Sequence, residues 1–506
     1  MKDIKLSLEI LALISLWVLI NSYDYDYSTQ SNFEDIRIKH LSGEFKIDFE
    51  NKLVNGSLIY DLIPLVDRPQ MVLDTKKLNI INIYKINTTN GTLEPLNFFL
   101  GDEDPILGTP LFIDFDYSKD DVVQIKIEYK TTSEGISAQF LSPEQTLGKK
   151  YPYFFTQSKM ILGRSLFPCQ DVPAVKFTFN LKIIVPKDLR GMISGIYEGV
   201  SNYTDKNYKV YSYKQENPIH SYLLSLAAGN IEEQAINDNI TLYTEPEYID
   251  KAYNEIYEDL PKAFDLAINY TGPFRWDKFN LLVLPRSFPY SGVENPNLVF
   301  LSPCIISDDK SLIDIIIQTL MHHWAGNLVT NEHWSDFWIN GGIALFLRRK
   351  IMGLLKNDTE LARMDGYVGM FYIKFWIDYF GEENKELTKL KPTPKDENPE
   401  DYFTNIPYEK GYNFIYFIEH LIGKENMEQF FKSYFEDLKY HSIPLTEFQN
   451  YFTSFCNYKS ISRDILDQIN WVEWLNTEGD IPKRVEEKNQ YKEQAEEIIE
   501  KNSKYL

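Results

Sequence analysis

Three cysteines, Cys169, Cys304 and Cys456, are all that the 506 residues contain. An odd set allows at most one disulfide within the chain and excludes the disulfide-dense scaffolds of small secreted domains. Positive charge is also short: 52 Lys and Arg stand against 74 Asp and Glu, a formal net charge of −22, with a pI near 4.9. That balance argues against nucleic acid or an anionic membrane surface as a partner, and its ordinary consequence is solubility. A spanning apolar run is missing from the N-terminus, where the stretch over 10–20, with Glu9 at its edge, falls short of the roughly 20 residues needed. Histidine is sparse at seven residues, and His40, His220, His420 and His441 show no ligand spacing to one another. No internal repeat or low-complexity tract breaks the chain.

What is present reads as an ordinary globular protein, 43% hydrophobic and 25% charged, long enough for about three domains. The first residues run from basic (Lys2, Lys5) through the apolar stretch to Asn21-Ser22. That order predicts a secretory signal over 1–22, with Ile20 and Ser22 fitting the positions before a cut. An uncleaved signal anchor is the alternative, and only in that case is a membrane expected as partner. Sequons at Asn55, Asn87, Asn90, Asn202, Asn239, Asn269 and Asn357 agree with a secreted or lumenal glycoprotein.

From 23 to 229 the pattern is strand-like. Alternating runs such as Phe45-Lys46-Ile47-Asp48-Phe49, Val122-Val123-Gln124-Ile125-Lys126-Ile127 and Phe177-Thr178-Phe179-Asn180-Leu181-Lys182-Ile183 are separated by Gly, Asn, Asp and Pro. From 230 to 460 the period becomes helical, with helices predicted over 249–266, 311–325, 334–355, 358–380 and 411–421 and a strand over 279–284. Pro392, Pro394 and Pro399 mark a loop before Tyr408. Residues 461–506 read as a linker and a charged, exposed helix over 482–504.

One stretch organises the rest: Gln318-Thr319-Leu320-Met321-His322-His323-Trp324-Ala325-Gly326-Asn327, followed by Trp334-Ser335-Asp336-Phe337-Trp338-Ile339-Asn340-Gly341-Gly342. With it, in order along the chain, come Pro143-Glu144-Gln145-Thr146, Phe155-Thr156-Gln157, Pro168-Cys169-Gln170-Asp171, Gly292-Val293-Glu294-Asn295-Pro296 and Pro407-Tyr408-Glu409-Lys410-Gly411. Together these resemble the leukotriene A(4) hydrolase branch of the M1 metallopeptidases, the gluzincin aminopeptidases, from about residue 36 to 474. The resemblance implies an α+β multidomain fold, with a large saddle-like N-terminal β-sheet domain and a thermolysin-like, mostly helical domain. It also implies a full C-terminal helical domain in that branch, for which the sequence shows no counterpart after Trp474.

In that family two His one helical turn apart and a Glu on the next helix hold zinc, and a Glu beside the first His takes a proton from the metal-bound water. At the matching metal positions this chain has Gln318, His322 and Gly341, and Thr319 stands in place of the general base. His323, about 100° further round the helix, does not replace a donor at 318. No metal is therefore expected here, although the family uses zinc. Tyr408 matches the tyrosine that steadies the oxyanion. Glu294 matches the carboxylate that holds the substrate's amino terminus, within a binding set of Gln157, Gly292, Asn295 and Glu294. Lys159 falls where the family has a second amine-binding glutamine. An ammonium there predicts an ion pair with Glu294, since either charge alone is costly in a cleft. The alternative is a Lys159 extended to solvent.

The reading these residues favour is a catalytically inactive, aminopeptidase-like pseudoenzyme that binds a peptide or protein. Two alternatives stand beside it: an active aminopeptidase or epoxide hydrolase-like enzyme with a rearranged metal site, and a structural subunit of an assembly. A partner interface is expected where the family's C-terminal domain would pack, with the terminal helix covering part of it.

Overall fold

The computed structural model describes residues 26–393, 398–485 and 488–502; the expected signal segment and Pro394 lie outside them. Alternating apolar residues build the N-terminal half. Eight strands lie in the order Ile196–Asn202, Tyr208–Ile219, Phe177–Pro186, Ile36–Asp48, Leu53–Pro64, Val123–Thr131, Leu78–Ile86 and Leu93–Pro95. In Leu53–Pro64 nearly every second residue is buried, the period-2 pattern of a sheet with one covered face. Against it pack the three-stranded sheet around Arg68–Thr75 and the four-stranded sheet of Arg190–Ile193, Leu226–Gly229, Tyr153–Thr156 and Ala138–Leu141. The Pro168-Cys169-Gln170-Asp171 motif is a clasp for this domain. The Gln170 side chain accepts from Ile38 N at 3.0 Å and donates to Ile36 O, while Asp171 accepts from the fully buried Arg164 Nε at 3.0 Å.

The helical half comprises α1 (Ile249–Ile256), α2 (Asp259–Thr271), α3 (Ile313–His322), α4 (Trp338–Leu355), α5 (Thr359–Phe380), α6 (Asn405–Ile422), α7 (Lys424–Asp437), α8 (Leu445–Tyr458), α9 (Arg463–Leu466), α10 (Trp471–Asn476) and α11 (Gln490–Asn502). The expected helix over 249–266 divides at Tyr257, and 334–336 is a 3-10 turn ahead of α4. The largest correction is at α6, which begins six residues before the expected 411 and so carries Tyr408 on a helix. Pro407 is tolerated there because it stands in the first turn, where its missing N–H has no helical acceptor. The strand expected over 279–284 is Leu281–Val283, and α7 and α8 were not expected at all.

α4 and α6 meet backbone to backbone. A Cβ on Gly342 would lie 2.7 Å from Gly411 Cα, and one on Gly411 would lie 2.8 Å from Gly342 Cα. Only two glycines allow this approach. The halves are joined by Lys176, whose ammonium donates to the carbonyls of Asn327, Leu328 and His441 at 3.1–3.2 Å. All three cysteines are free thiols, Cys169 and Cys456 buried and Cys304 exposed.

Candidate functional site

Three elements converge at the end of α3. The five-stranded sheet of the helical half ends in the edge strand Gly292–Val293, which pairs with Val299–Leu301. This edge lies directly on α3, since a Cβ on Gly292 would fall 2.7 Å from Thr319 Cγ2. The next residue, Glu294, is thereby set at the α3 end. From the N-terminal half, the turn after Tyr153–Thr156 delivers Gln157 and Lys159. α6 brings Tyr408 from the third side.

The expected ion pair is present. Lys159 Nζ lies 3.3 Å from Glu294 Oε2 and 3.4 Å from Oε1, with side chains only 5% and 3% exposed. Phe403 covers the ammonium with its ring, centroid 4.4 Å away, a cation–π contact made stronger by desolvation. Burial alone would push the Glu294 carboxyl up; the Lys159 ammonium reverses this and holds it below the usual glutamate range. The Gln157 side chain is turned away from the pair. It accepts from Lys159 N at 2.9 Å and donates to Tyr290 OH at 2.7 Å. Asn327 Nδ2 donates to Glu294 O at 2.7 Å and fixes the loop. Asn295 is fully buried with neither amide atom hydrogen-bonded.

His322 is tied down at both nitrogens. Nδ1 donates to Ala325 O at 3.0 Å, because a carbonyl can only accept. Nε2 then carries the lone pair, and Gln318 Nε2 meets it at 3.3 Å as donor. Burial lowers the His322 pKa, consistent with a neutral ring. Thr319 donates to Ile316 O one turn back, at 2.7 Å. A Cβ on Gly341 would lie 3.1–3.3 Å from the rings of Tyr408 and Phe337, so these rings occupy the space a side chain at 341 would need. Tyr408 packs edge-on to His322 and Phe337, with centroids 6.0 and 5.4 Å apart. Burial, with Glu294 nearby, holds its hydroxyl well above the usual tyrosine range. His323 points elsewhere, donating from Nδ1 to Thr319 O at 2.9 Å among Phe274, Trp276 and Phe279.

One imidazole, a carboxamide, a hydroxyl and a glycine do not fit the three-donor set of a catalytic zinc. Among the described residues no group of three His, Cys, Asp or Glu is placed to hold a metal. The arrangement can instead receive hydrogen bonds and apolar groups around a neutralised carboxylate. Phe403, Asn327, Tyr290 and Phe337 also shape the site; Asn327 and Phe337 stand in the organising stretch without a role assigned there, and Phe403 and Tyr290 come from other segments with no spacing signal.

Residues 37–223 match the peptidase M1 N-terminal domain and 257–474 match the peptidase family M1 domain. Leukotriene A-4 hydrolase of Xenopus laevis is 34% identical over 459 residues, 90% of this chain and 73% of that protein. Leucine aminopeptidase 2 of Aspergillus terreus is 34% identical over 466 residues, with 90% and 74% covered. Among solved structures, yeast LTA4 hydrolase in complex with bestatin superposes with a TM-score of 0.86 at 30% identity, covering 95% of this chain and 74% of that one. A Deinococcus radiodurans M1 zinc metallopeptidase shares the fold at a TM-score of 0.68 and 14% identity. The chain therefore belongs to peptidase family M1, in its leukotriene A-4 hydrolase-like branch.

Proposed function

We propose that this M1 chain is a non-hydrolytic member of its family that binds a peptide or protein. The observation that carries the reading is the pairing of two changes. The residues at the metal positions supply one imidazole, already capped by Gln318, and the carboxylate at the amine-binding position is neutralised by Lys159. Either change alone would weaken an aminopeptidase; together they remove both the water-activating group and the charge that would hold a free amino terminus. The activities for which the relatives are named, leukotriene A-4 hydrolase and leucine aminopeptidase, are then features of the fold's ancestry in this reading.

The partner surface we assign is the outer face of α5. There Val368, Phe371, Tyr372, Phe375 and Tyr379 are exposed, Phe371 at 72% and Tyr379 at 70%. Apolar patches of this kind mark contact sites. The terminal segment meets the N-terminal half of α5, where Asn489, just before α11, donates to Glu360 O and Lys492 of α11 lies over the Tyr367 ring. Entry to the secretory pathway through residues 1–22 completes the proposal.

Metal analysis of the purified chain, paired with an aminoacyl-fluorogenic substrate screen, tests it. About one zinc per chain, lost in His322→Ala, together with hydrolysis of such substrates, would overturn the reading. Absence of both, with peptide binding that appears in Lys159→Gln, supports it.

A further inference from the structure

A cavity of about 360 Å³ lies between α2, α4, α5, α6 and α7, away from the α3 site. Its volume falls within the range of small-molecule pockets. The walls are largely aromatic, with Tyr270 from α2, Phe346 from α4, and Tyr412 and Tyr416 from α6. The last two are stacked, centroids 5.7 Å apart and planes inclined by 10°. A smaller hollow adjoins it and shares Arg363, Tyr412 and Tyr416 as a wall.

The polar groups of this cavity are unevenly satisfied. Arg349 is held by Glu409 at 2.9 and 3.0 Å and by Asp365 at 2.7 Å. Lys350 is held by Glu419 Oε2 at 2.6 Å, and Arg363 by Glu360. At the other end Glu428 is held by Lys432 at 2.7 Å, but one acceptor is left over. Glu419 is 2% exposed, and its second oxygen, Oε1, has no hydrogen-bond partner. The Tyr270 hydroxyl makes no hydrogen bond among the described residues. Glu419 and Glu428 are the charged groups that face it, and Glu425 and Lys424 complete that rim.

A buried carboxylate oxygen without a donor is costly, and the donor that offsets most of that cost is a charged one. Aromatic faces beside a carboxylate are a setting that favours ammonium groups. We propose that this cavity is a binding site for a small organic amine. Its ammonium donates to Glu419 Oε1 and the Tyr270 hydroxyl, and its apolar body lies along Phe346, Tyr412 and Tyr416. The site shares no residue with the α3 site, so it stands whether or not the chain proves hydrolytic.

Titration calorimetry with 2-phenylethylamine, 2-phenylethanol and phenylacetate, one ring carrying a cation, a neutral group and an anion, tests it. The amine is expected to bind and the other two to bind at least about ten-fold more weakly. Glu419→Gln should weaken the amine about ten-fold and Tyr270→Phe about five-fold, while Glu216→Gln, exposed on the N-terminal sheet, leaves it unchanged. Thermal unfolding confirms that each variant is folded; should Glu419→Gln not fold, Tyr270→Phe carries the test. No amine binding at millimolar concentration, equal binding of the alcohol, or binding indifferent to Glu419→Gln and Tyr270→Phe would each overturn the proposal.

Discussion

At the scale of single residues, Lys159 and Glu294 decide what the α3 site can hold. Removing one member of a buried pair leaves the other charge uncompensated, so Lys159→Met is expected to destabilise the protein by about 3–5 kcal/mol in chemical denaturation. Lys159→Met/Glu294→Leu should recover most of that loss. The pH response separates this account from simple loss of packing. In the wild type the Glu294 pKa is depressed, so its contribution is present above the unfolded-state value and fades as pH falls through the folded one. In Lys159→Met the carboxyl is buried without its cation and its pKa rises, so that variant should instead gain stability on acidification. Parallel slopes for the two proteins between pH 4 and 7 would contradict the pairing. A second expectation concerns the metal positions. Gln318→His/Thr319→Glu/Gly341→Glu should recover zinc in metal analysis before any hydrolysis of an alanyl-fluorogenic substrate, because the first needs only donors. The Tyr408 and Phe337 rings must also shift to admit a side chain at 341, so a change in near-ultraviolet circular dichroism should accompany metal uptake. Hydrolysis is expected only once Lys159→Gln is added.

At the scale of elements, the segment before Ile36 is tied to the connection between α3 and α4 by His333 Nδ1 and Asp26 Oδ2, 3.4 Å apart. Burial pushes the imidazole down, but Asp26, with Glu332 and Asp336, outweighs it and raises the pKa above the ordinary histidine value. A raised histidine contributes fully below its unfolded pKa and loses that contribution as pH rises through the folded one. Thermal midpoints of the wild type should therefore fall more between pH 6 and 8 than those of His333→Gln; identical slopes would show that the contact adds nothing. The strands were readable because alternation such as that of Leu53–Pro64 is local. The start of α6 was not, since Pro407 reads as a break unless its first-turn position is known. α7 and α8 were missed although their buried faces, such as Met427, Phe430, Phe431 and Tyr434, recur at helical spacing. At the site, the chain positions of Gln157, Lys159, Glu294 and Tyr408 could be read from the motifs around them. The ring of Phe403 over the ammonium and the Asn327 amide on Glu294 O could not, because both arise from tertiary contacts between segments that no sequence period links.

At the scale of the whole molecule, the exposed rings of α5 predict association. Phe371→Ser/Phe375→Ser/Tyr379→Ser should lower the unfolding midpoint by only a few degrees, since largely solvated side chains add little to the fold. The same variant should abolish any concentration-dependent increase in sedimentation coefficient or any stable complex with a partner; complexes that survive would place the interface elsewhere. The crossing of Gly342 and Gly411 has a wider consequence. Two helices that touch through their main chains are registered by atoms every residue possesses, so their spacing is indifferent to what the side chains around them do for a living. Selection on such a joint acts on hydrogen alone: any larger substituent at either glycine would wedge the bundle apart, while the letters at 318, 319 and 341 can be rewritten without shifting a strut. A fold pinned in this way can outlast its first occupation, and can be given another, because its shape and its chemistry are inherited separately.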